Sequence, residues 1–184
     1  PIPLDACAGG RVTIRNDGAS ALYHYWKTEG VPANAVTAEA DQGLTIRREL
    51  LDTRIRPVDP GRLTQGELLI VKLTLNTVGQ DLDNVVIEDL LPAGLEIENP
   101  ALNTSQAIGW KPADPALSPL CTESRDDRLL AFTGFVSGKG SLCYAARAVT
   151  AGDFVLPPVS ASCMYDSETR STHGSGRIRI TPGP

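Results

Sequence analysis

The sequence has 184 residues, with 17 lysines and arginines against 22 aspartates and glutamates and a formal net charge of -5; 41% of it is hydrophobic and 21% charged. No apolar run approaches the roughly 20 residues of a membrane helix. The acidic balance argues against a nucleic-acid partner, because proteins that bind phosphate backbones present a basic face. A chain this long buries roughly 70% of its unfolded surface, so one compact domain with an appendage is expected.

Residues 1–10 read as an N-terminal extension. Opening on Pro1 without a basic and then apolar leader, the chain is expected to be a piece excised from a longer protein. Gly10 to Asn16 alternates, with Val12 and Ile14 on one side, and predicts a half-buried strand. Asn16-Asp17-Gly18 is a hairpin signal, answered by a returning strand over Ala21 to Thr28 that carries Tyr23, Tyr25 and Trp26. Gly30 to Gln42 is alanine-rich without a period and reads as a linker. Gly43 to Leu51 resumes alternation through Leu44, Ile46 and Leu50, until Pro57, Pro60 and Gly61 break it. The run LLIVKLTL places Leu69, Val71, Leu73 and Leu75 on one face and is the strongest strand signal in the chain.

Val85 to Leu90 predicts another strand, closed by a turn at Pro92-Ala93-Gly94 and followed by a short strand at Leu95 and Ile97. Residues 99–125 have no period and read as a long irregular loop, which in a compact domain is either pinned or functional. Leu129 to Val136 and Ser141 to Thr150 read as a second hairpin around Ser137-Gly138-Lys139-Gly140. Phe154 to Ala161 reads as an edge strand, because Pro157 and Pro158 cannot donate to a ladder. Ser167 to Gly176 reads as a polar loop, and Arg177 to Thr181 as a last strand with Ile178 and Ile180 inward. About nine short strands and no amphipathic helix of ten residues make the expected fold all-β, an antiparallel β-sandwich.

The inventory of reactive groups is poor. A serine or cysteine nucleophile needs a base within reach, and His24 and His173 lie in no recognisable signature. Asp81 and Asp83 approach calcium-loop spacing, but the glycine and glutamate expected at the sixth and twelfth positions are missing. No phosphate-cradling GxxxxGK stretch occurs. No catalytic residue, metal or cofactor is expected. The four cysteines, Cys7, Cys121, Cys143 and Cys163, lack the close pairing of zinc ligands and read as two disulfides in an oxidising compartment. Four cysteines allow three pairings.

The stretch LDNVVIEDLLPAGLEIENP at 82–100 resembles the C-terminal macroglobulin-like domain of bacterial alpha-2-macroglobulin homologues. NDGASALYHYWKTEGVP at 16–32, GLTIRREL at 43–50 and YAARAVTAGDFVLPPVSASCMYD at 144–166 resemble the same family in order. The resemblance implies a β-sandwich over residues 1–184 that ends a long envelope protein related to inhibitors which trap proteases by envelopment. It implies packing against neighbouring domains of the parent, among them a domain that in many members carries an internal thioester from a Cys-x-Glu-Gln motif. Cys121-Thr122-Glu123-Ser124 has serine where that glutamine belongs, so it is not the thioester.

The expected function is therefore a non-catalytic interaction domain in the periplasm or cell envelope, whose partners are the parent's own domains, the proteases it traps and other envelope proteins. An adhesive or structural sandwich repeat of a bacterial surface protein is the alternative. Met164, Tyr165 and Asp166 read either as contact surface for a neighbouring domain, since Tyr and Met are enriched at interfaces, or as a strand cap with Met164 filling core. Cys121 and Cys143 flank one predicted hairpin and are expected to pair, which leaves Cys7 with Cys163.

Overall fold

The computed structural model describes residues 13–25, 36–77, 79–98 and 114–183. The chain divides into two compact units, Pro1–Val31 and Pro32–Pro184. In the first, the predicted turn is present: Asn16 Oδ1 accepts the Gly18 amide at 3.0 Å and its Nδ2 donates to the Ser20 carbonyl at 2.7 Å. The flanking strands are not formed over 13–25, and Ile14, Leu22, Tyr23 and Tyr25 are exposed there. Trp26 and the expected boundary at residue 10 lie outside the described residues.

The second unit is all-β. Its strands are β1 (Ala40–Gln42), β2 (Leu44–Leu51), β3 (Leu63–Thr64), β4 (Leu68–Thr77), β5 (Leu82–Asp83), β6 (Val85–Leu90), β7 (Leu95–Ile97) and β8 (Cys121–Ser124). They continue with β9 (Arg128–Phe132), β10 (Phe135–Val136), β11 (Lys139–Ala148), β12 (Gly152–Leu156), β13 (Val159–Cys163), β14 (Asp166–His173) and β15 (Gly176–Thr181). Among the described residues the only helical element is a 3-10 turn at Pro60–Arg62, where Asp59 Oδ1 accepts the Gly61 amide at 2.8 Å.

A six-stranded antiparallel sheet, β1-β14-β13-β6-β9-β8, faces a four-stranded one, β2-β4-β11-β7. A three-stranded sheet, β12-β15-β3, closes the core, and β5 pairs with β10 at one end. The sandwich forms because alternation on β4 points Leu69, Val71, Leu73 and Leu75 inward, all at most 1% exposed. Val85 and Ile87 of β6, Val159 and Ala161 of β13, and Ile178 and Ile180 of β15 meet them in one apolar cluster. Each such leucine or isoleucine contributes about 1.5–3 kcal/mol by leaving water.

Four predicted elements take a different form. The described residues hold fifteen strands against an expectation of about nine, partly because several are two- or three-residue pieces and some runs change sheet midway. Residues 129–136 and 141–150 are not a hairpin: β9 pairs with β6 and β8, whereas β11 pairs with β4 and β7. The run over 154–161 is two strands in different sheets, and Pro157-Pro158 is the corner between them. No donor is lost there; β12 is the edge strand of its sheet, as expected, whereas β13 sits between β14 and β6. Ser167–Gly176 is not a loop but most of β14, whose inward Thr169 and Ser171 are polar and so leave no apolar period. Ser171 Oγ accepts the Ile46 amide at 3.0 Å and donates to Asp41 Oδ1 at 2.6 Å, which supplies the partners that burial demands. Two segments taken as irregular also contain strand. The stretch 99–125 includes β8 and a parallel bridge from Ala116 to Ser141, and Gly30 to Gln42 ends in β1.

Gly94 marks the closest approach of the β6–β7 turn to the third sheet, since a Cβ there would lie 2.5 Å from Phe154 Cε2 and 2.7 Å from Ile180 Cδ1. Gly94→Ala is expected to cost about 1–3 kcal/mol, the usual toll of overpacking, read as a lower thermal midpoint. Asp41 clips β1 to its neighbours through Arg47 and Ser171. The Arg47 guanidinium, with Ser171 adding to it, holds its carboxyl down at about 2 against a usual 3.8. A carboxyl depressed on folding stabilises above its unfolded pKa and loses that contribution as pH falls through the folded value. Stability is therefore expected to drop between about pH 4 and pH 2, and less steeply in Asp41→Asn, in thermal melts taken across that range.

Candidate functional site

Met164 and Tyr165 form the two-residue turn between β13 and β14, where the ladder shifts register between Ser162 and Cys163. Met164 is 53% and Tyr165 85% exposed, so neither fills core. The turn is held in place from beneath. The Met164 amide donates to the Asn84 carbonyl at 2.9 Å, and Asp166 accepts the Glu168 amide at 3.0 Å and the Thr169 hydroxyl at 2.6 Å. Those two bonds, the Thr169 hydroxyl first, keep the Asp166 carboxyl below its ordinary range. The geometry offers a rigid backbone with an aromatic side chain projecting into solvent.

Beneath the surface lies a second cluster, missed at the level of sequence. Arg48 of β2 places Nη1 at 2.5 Å from Asp89 Oδ1 of β6, with side chains 5% and 0% exposed. Its Nη2 donates to the carbonyls of Pro157 at 2.6 Å and Gly174 at 2.8 Å. Tyr144 of β11 donates its hydroxyl to Asp89 Oδ2 at 2.6 Å. Burial pushes the Asp89 carboxyl upward against the opposing pull of Arg48 and the tyrosine, and burial with the Asp89 charge pushes the Tyr144 hydroxyl well above 10. The signal was available in the alternation: Arg48 is in phase with Leu44, Ile46 and Leu50, and Asp89 with Val85 and Ile87.

The expected bond between Cys121 and Cys143 is not formed, and the expected pairing of Cys7 with Cys163 rests on a residue outside the described ones. Cys121, Cys143 and Cys163 are free thiols, and Cys7 lies outside the described residues. Cys121 and Cys143 belong to different sheets, since the hairpin they were taken to flank does not exist. Cys143 is half-buried opposite Lys72, and burial pushes its thiol up to about 11. Cys163 is raised as well, by burial first and then by Asp166 and Asp83. Asp114, bonded to Lys139 at 2.7 Å and Lys72 at 2.8 Å, is held well below the usual carboxylate range by those two ammonium groups.

His173 of β14 sits 3.1 Å from Glu39, and His24 lies in the strandless stretch of the first unit. Among the described residues no three His, Cys, Asp or Glu side chains converge to hold a metal. A cleft between residues 91–97 and the 124–127 loop has Leu91, Leu95, Asp126 and Asp127 among its lining, and no histidine, cysteine or lysine among its described walls.

A family model described as "Bacterial Alpha-2-macroglobulin MG10 domain" matches residues 43–168, a span that holds Arg48, Asp89, Tyr144 and the Met164–Tyr165 turn together. The chain belongs to this family. The alpha-2-macroglobulin of Xylella fastidiosa is 34% identical over 189 residues, covering 95% of this MG10 chain and 11% of the relative. That of Escherichia coli K12 is 30% identical over 177 residues, covering 91% and 11%. Among solved structures, the MG10 chain resembles Escherichia coli alpha-2-macroglobulin activated by porcine elastase, with a TM-score of 0.71, 28% identity and 79% of this chain covered against 14% of that one. It also resembles Salmonella alpha-2-macroglobulin reacted with methylamine, with a TM-score of 0.67, 31% identity and coverage of 79% and 10%. The chain thus spans about a tenth of the length of its relatives.

Removing one partner from a buried ion pair strands the other, which typically costs about 3–5 kcal/mol. Asp89→Asn and Arg48→Met are each expected to destabilise on that scale, and Tyr144→Phe by about 1–3 kcal/mol for one lost buried hydrogen bond. In Arg48→Met/Asp89→Leu much of the loss is expected to return. Denaturant unfolding of the four variants measures this, and additive losses in the double variant would contradict it.

Proposed function

We propose that the chain is the non-catalytic MG10 interaction domain of a protease-trapping inhibitor in the periplasm or cell envelope, and that it docks against a neighbouring domain of its parent through Met164, Tyr165 and Asp166. One observation carries this reading: a tyrosine 85% exposed on a turn whose main chain is fixed by Asn84 and whose base is capped by Asp166. An aromatic ring held that way loses little conformational freedom on docking and brings a large apolar area with a polar tip. Kinship supports it too, since an Escherichia coli relative is described as activated by an elastase. Where the parent carries a thioester, this turn is the surface that would cover it. The parent's proteases and its other envelope partners belong to the same proposal.

The test uses the intact parent. Cleavage by an endoprotease is expected to compact it, seen by native electrophoresis, and to leave the captured protease active on small peptides but not on large protein substrates. Tyr165→Ala is expected to weaken docking about 30-fold, a hot-spot loss near 2 kcal/mol, so that the compact form is reached with less protease or none. The domain's own melting should barely move, because the side chain is in solvent. A parent that neither compacts nor shields its protease would remove the inhibitor reading, and this is the outcome that the adhesive-repeat alternative predicts.

A further inference from the structure

β6 runs from Val85, beside Cys163, to Leu90, so the turn that follows Leu91 lies at the end of the sandwich away from Met164 and Tyr165. At that end β7 is the last strand of its sheet, with β11 on one side and no strand on the other. Two bonds set the phase of its ladder. The Val149 amide donates to the Gly94 carbonyl at 2.9 Å, and the Glu98 amide to the Ala145 carbonyl at 2.9 Å. Facing residues of an antiparallel pair exchange bonds at every second position. Glu96 therefore turns its amide and carbonyl toward β11, and Ile97 turns both away, where they meet no partner among the described residues.

This open edge borders the cleft between residues 91–97 and the 124–127 loop, which has a volume of about 840 Å³. Its second wall is fixed: the Leu91 amide donates to the Asp127 carbonyl at 2.8 Å, and the Arg125 amide to the Arg128 carbonyl at 2.9 Å. The charges around it are mostly spent. Arg125 pairs with Glu123 at 2.8 Å, Asp127 with Arg128 at 2.6 Å, and Arg147, opposite Glu96 on β11, is committed to Glu98 and the Gly66 carbonyl. Glu96 on one wall and Asp126 on the other are exposed and have no ion pair or hydrogen bond among the described residues.

We propose that this cleft is a strand-addition groove, and that its occupant is an extended, lysine- or arginine-bearing segment of another polypeptide. The segment's main chain bonds to the Ile97 amide and carbonyl, and its cationic side chains lie against Glu96 and Asp126. Main-chain pairing at an open edge accepts any extended backbone, so the choice of occupant falls to charge, and two unspent carboxylates facing each other call for a basic partner. The site is separate from the turn at Met164 and Tyr165 and does not depend on the function proposed for it.

Amide hydrogen exchange of the intact parent, resolved to single residues, tests the groove with a blocked octapeptide that alternates lysine and valine. With the peptide at about ten times its Kd, the Ile97 amide is expected to exchange about tenfold more slowly, while the amides of β8, the open edge of the six-stranded sheet, keep their rates. An octapeptide alternating glutamate and valine is expected to leave Ile97 unchanged. Glu96→Gln/Asp126→Asn is expected to weaken binding of the lysine peptide about tenfold and to leave the thermal midpoint in place, because both side chains are exposed and unpaired. Equal slowing by the glutamate peptide, or equal slowing along β8, would overturn the proposal in favour of unselective edge pairing. An Ile97 amide already slow before any peptide is added would make the parent itself the occupant and overturn the separate partner. No slowing by either peptide would remove the groove.

Discussion

The guanidinium of Arg48 sits where four separate stretches of chain meet. It reaches across from β2 to the Asp89 carboxylate on the opposite sheet, and it satisfies the Pro157 carbonyl at the corner between β12 and β13 and the Gly174 carbonyl ahead of β15. Tyr144 completes the carboxylate's shell from β11. Net stability is not what such a group contributes, because the desolvation of two charges consumes most of what their attraction returns. Its contribution is directional. Apolar faces slide over one another at small cost, whereas a planar fork with three fixed acceptors has one arrangement in which nothing is left unpaired. Among the described residues no buried side-chain polar atom lacks a partner.

That fixed arrangement lets the chain change layers repeatedly. It crosses at Thr133-Gly134, between β9 and the strands that follow, and again at Pro157-Pro158. Both crossings use residues that cannot or need not continue a ladder, and the second is held by the same arginine that joins the sheets. The first crossing leaves Gly134 and Phe135 beside Asn84, and the β13–β14 turn arrives on the other side of that residue. The exposed end that carries Met164 and Tyr165 is thus a by-product of how the sandwich is wound. The surface offered to a partner owes its rigidity to the core beneath it.

The elements readable from the sequence are those whose pattern depends on one face alone. The leucines and valine of β4, and Ile178 and Ile180 of β15, announce themselves because water on one side and core on the other impose a period of two. Alternation does not say which strand lies alongside, so β9 and β11 read as a hairpin although they enter different sheets. It also fails where the buried face is polar, which hid β14 behind Thr169 and Ser171. Arg48 and Asp89 were passed over for a related reason: each holds an inward position in its strand's alternation, but a search for apolar residues skips a charge. Met164, Tyr165 and Asp166 stood out through family resemblance, whereas their exposure and support come from Asn84, 80 residues earlier, a proximity that no local pattern encodes.

Hydrophobic alternation has a limit of its own. A strand displaced by one residue turns its core face to water and is rejected, but displacement by two restores every apolar side chain to an inward position. The leucines and the single isoleucine of β2 cannot distinguish those two alignments from each other. Arg48 can, since a two-residue slip of β2 would set its guanidinium among apolar side chains and abandon Asp89, Pro157 and Gly174 together. A charge buried once in the middle of an otherwise apolar strand face thereby acts as an index mark. It converts a pairing defined only modulo two into a single registered one.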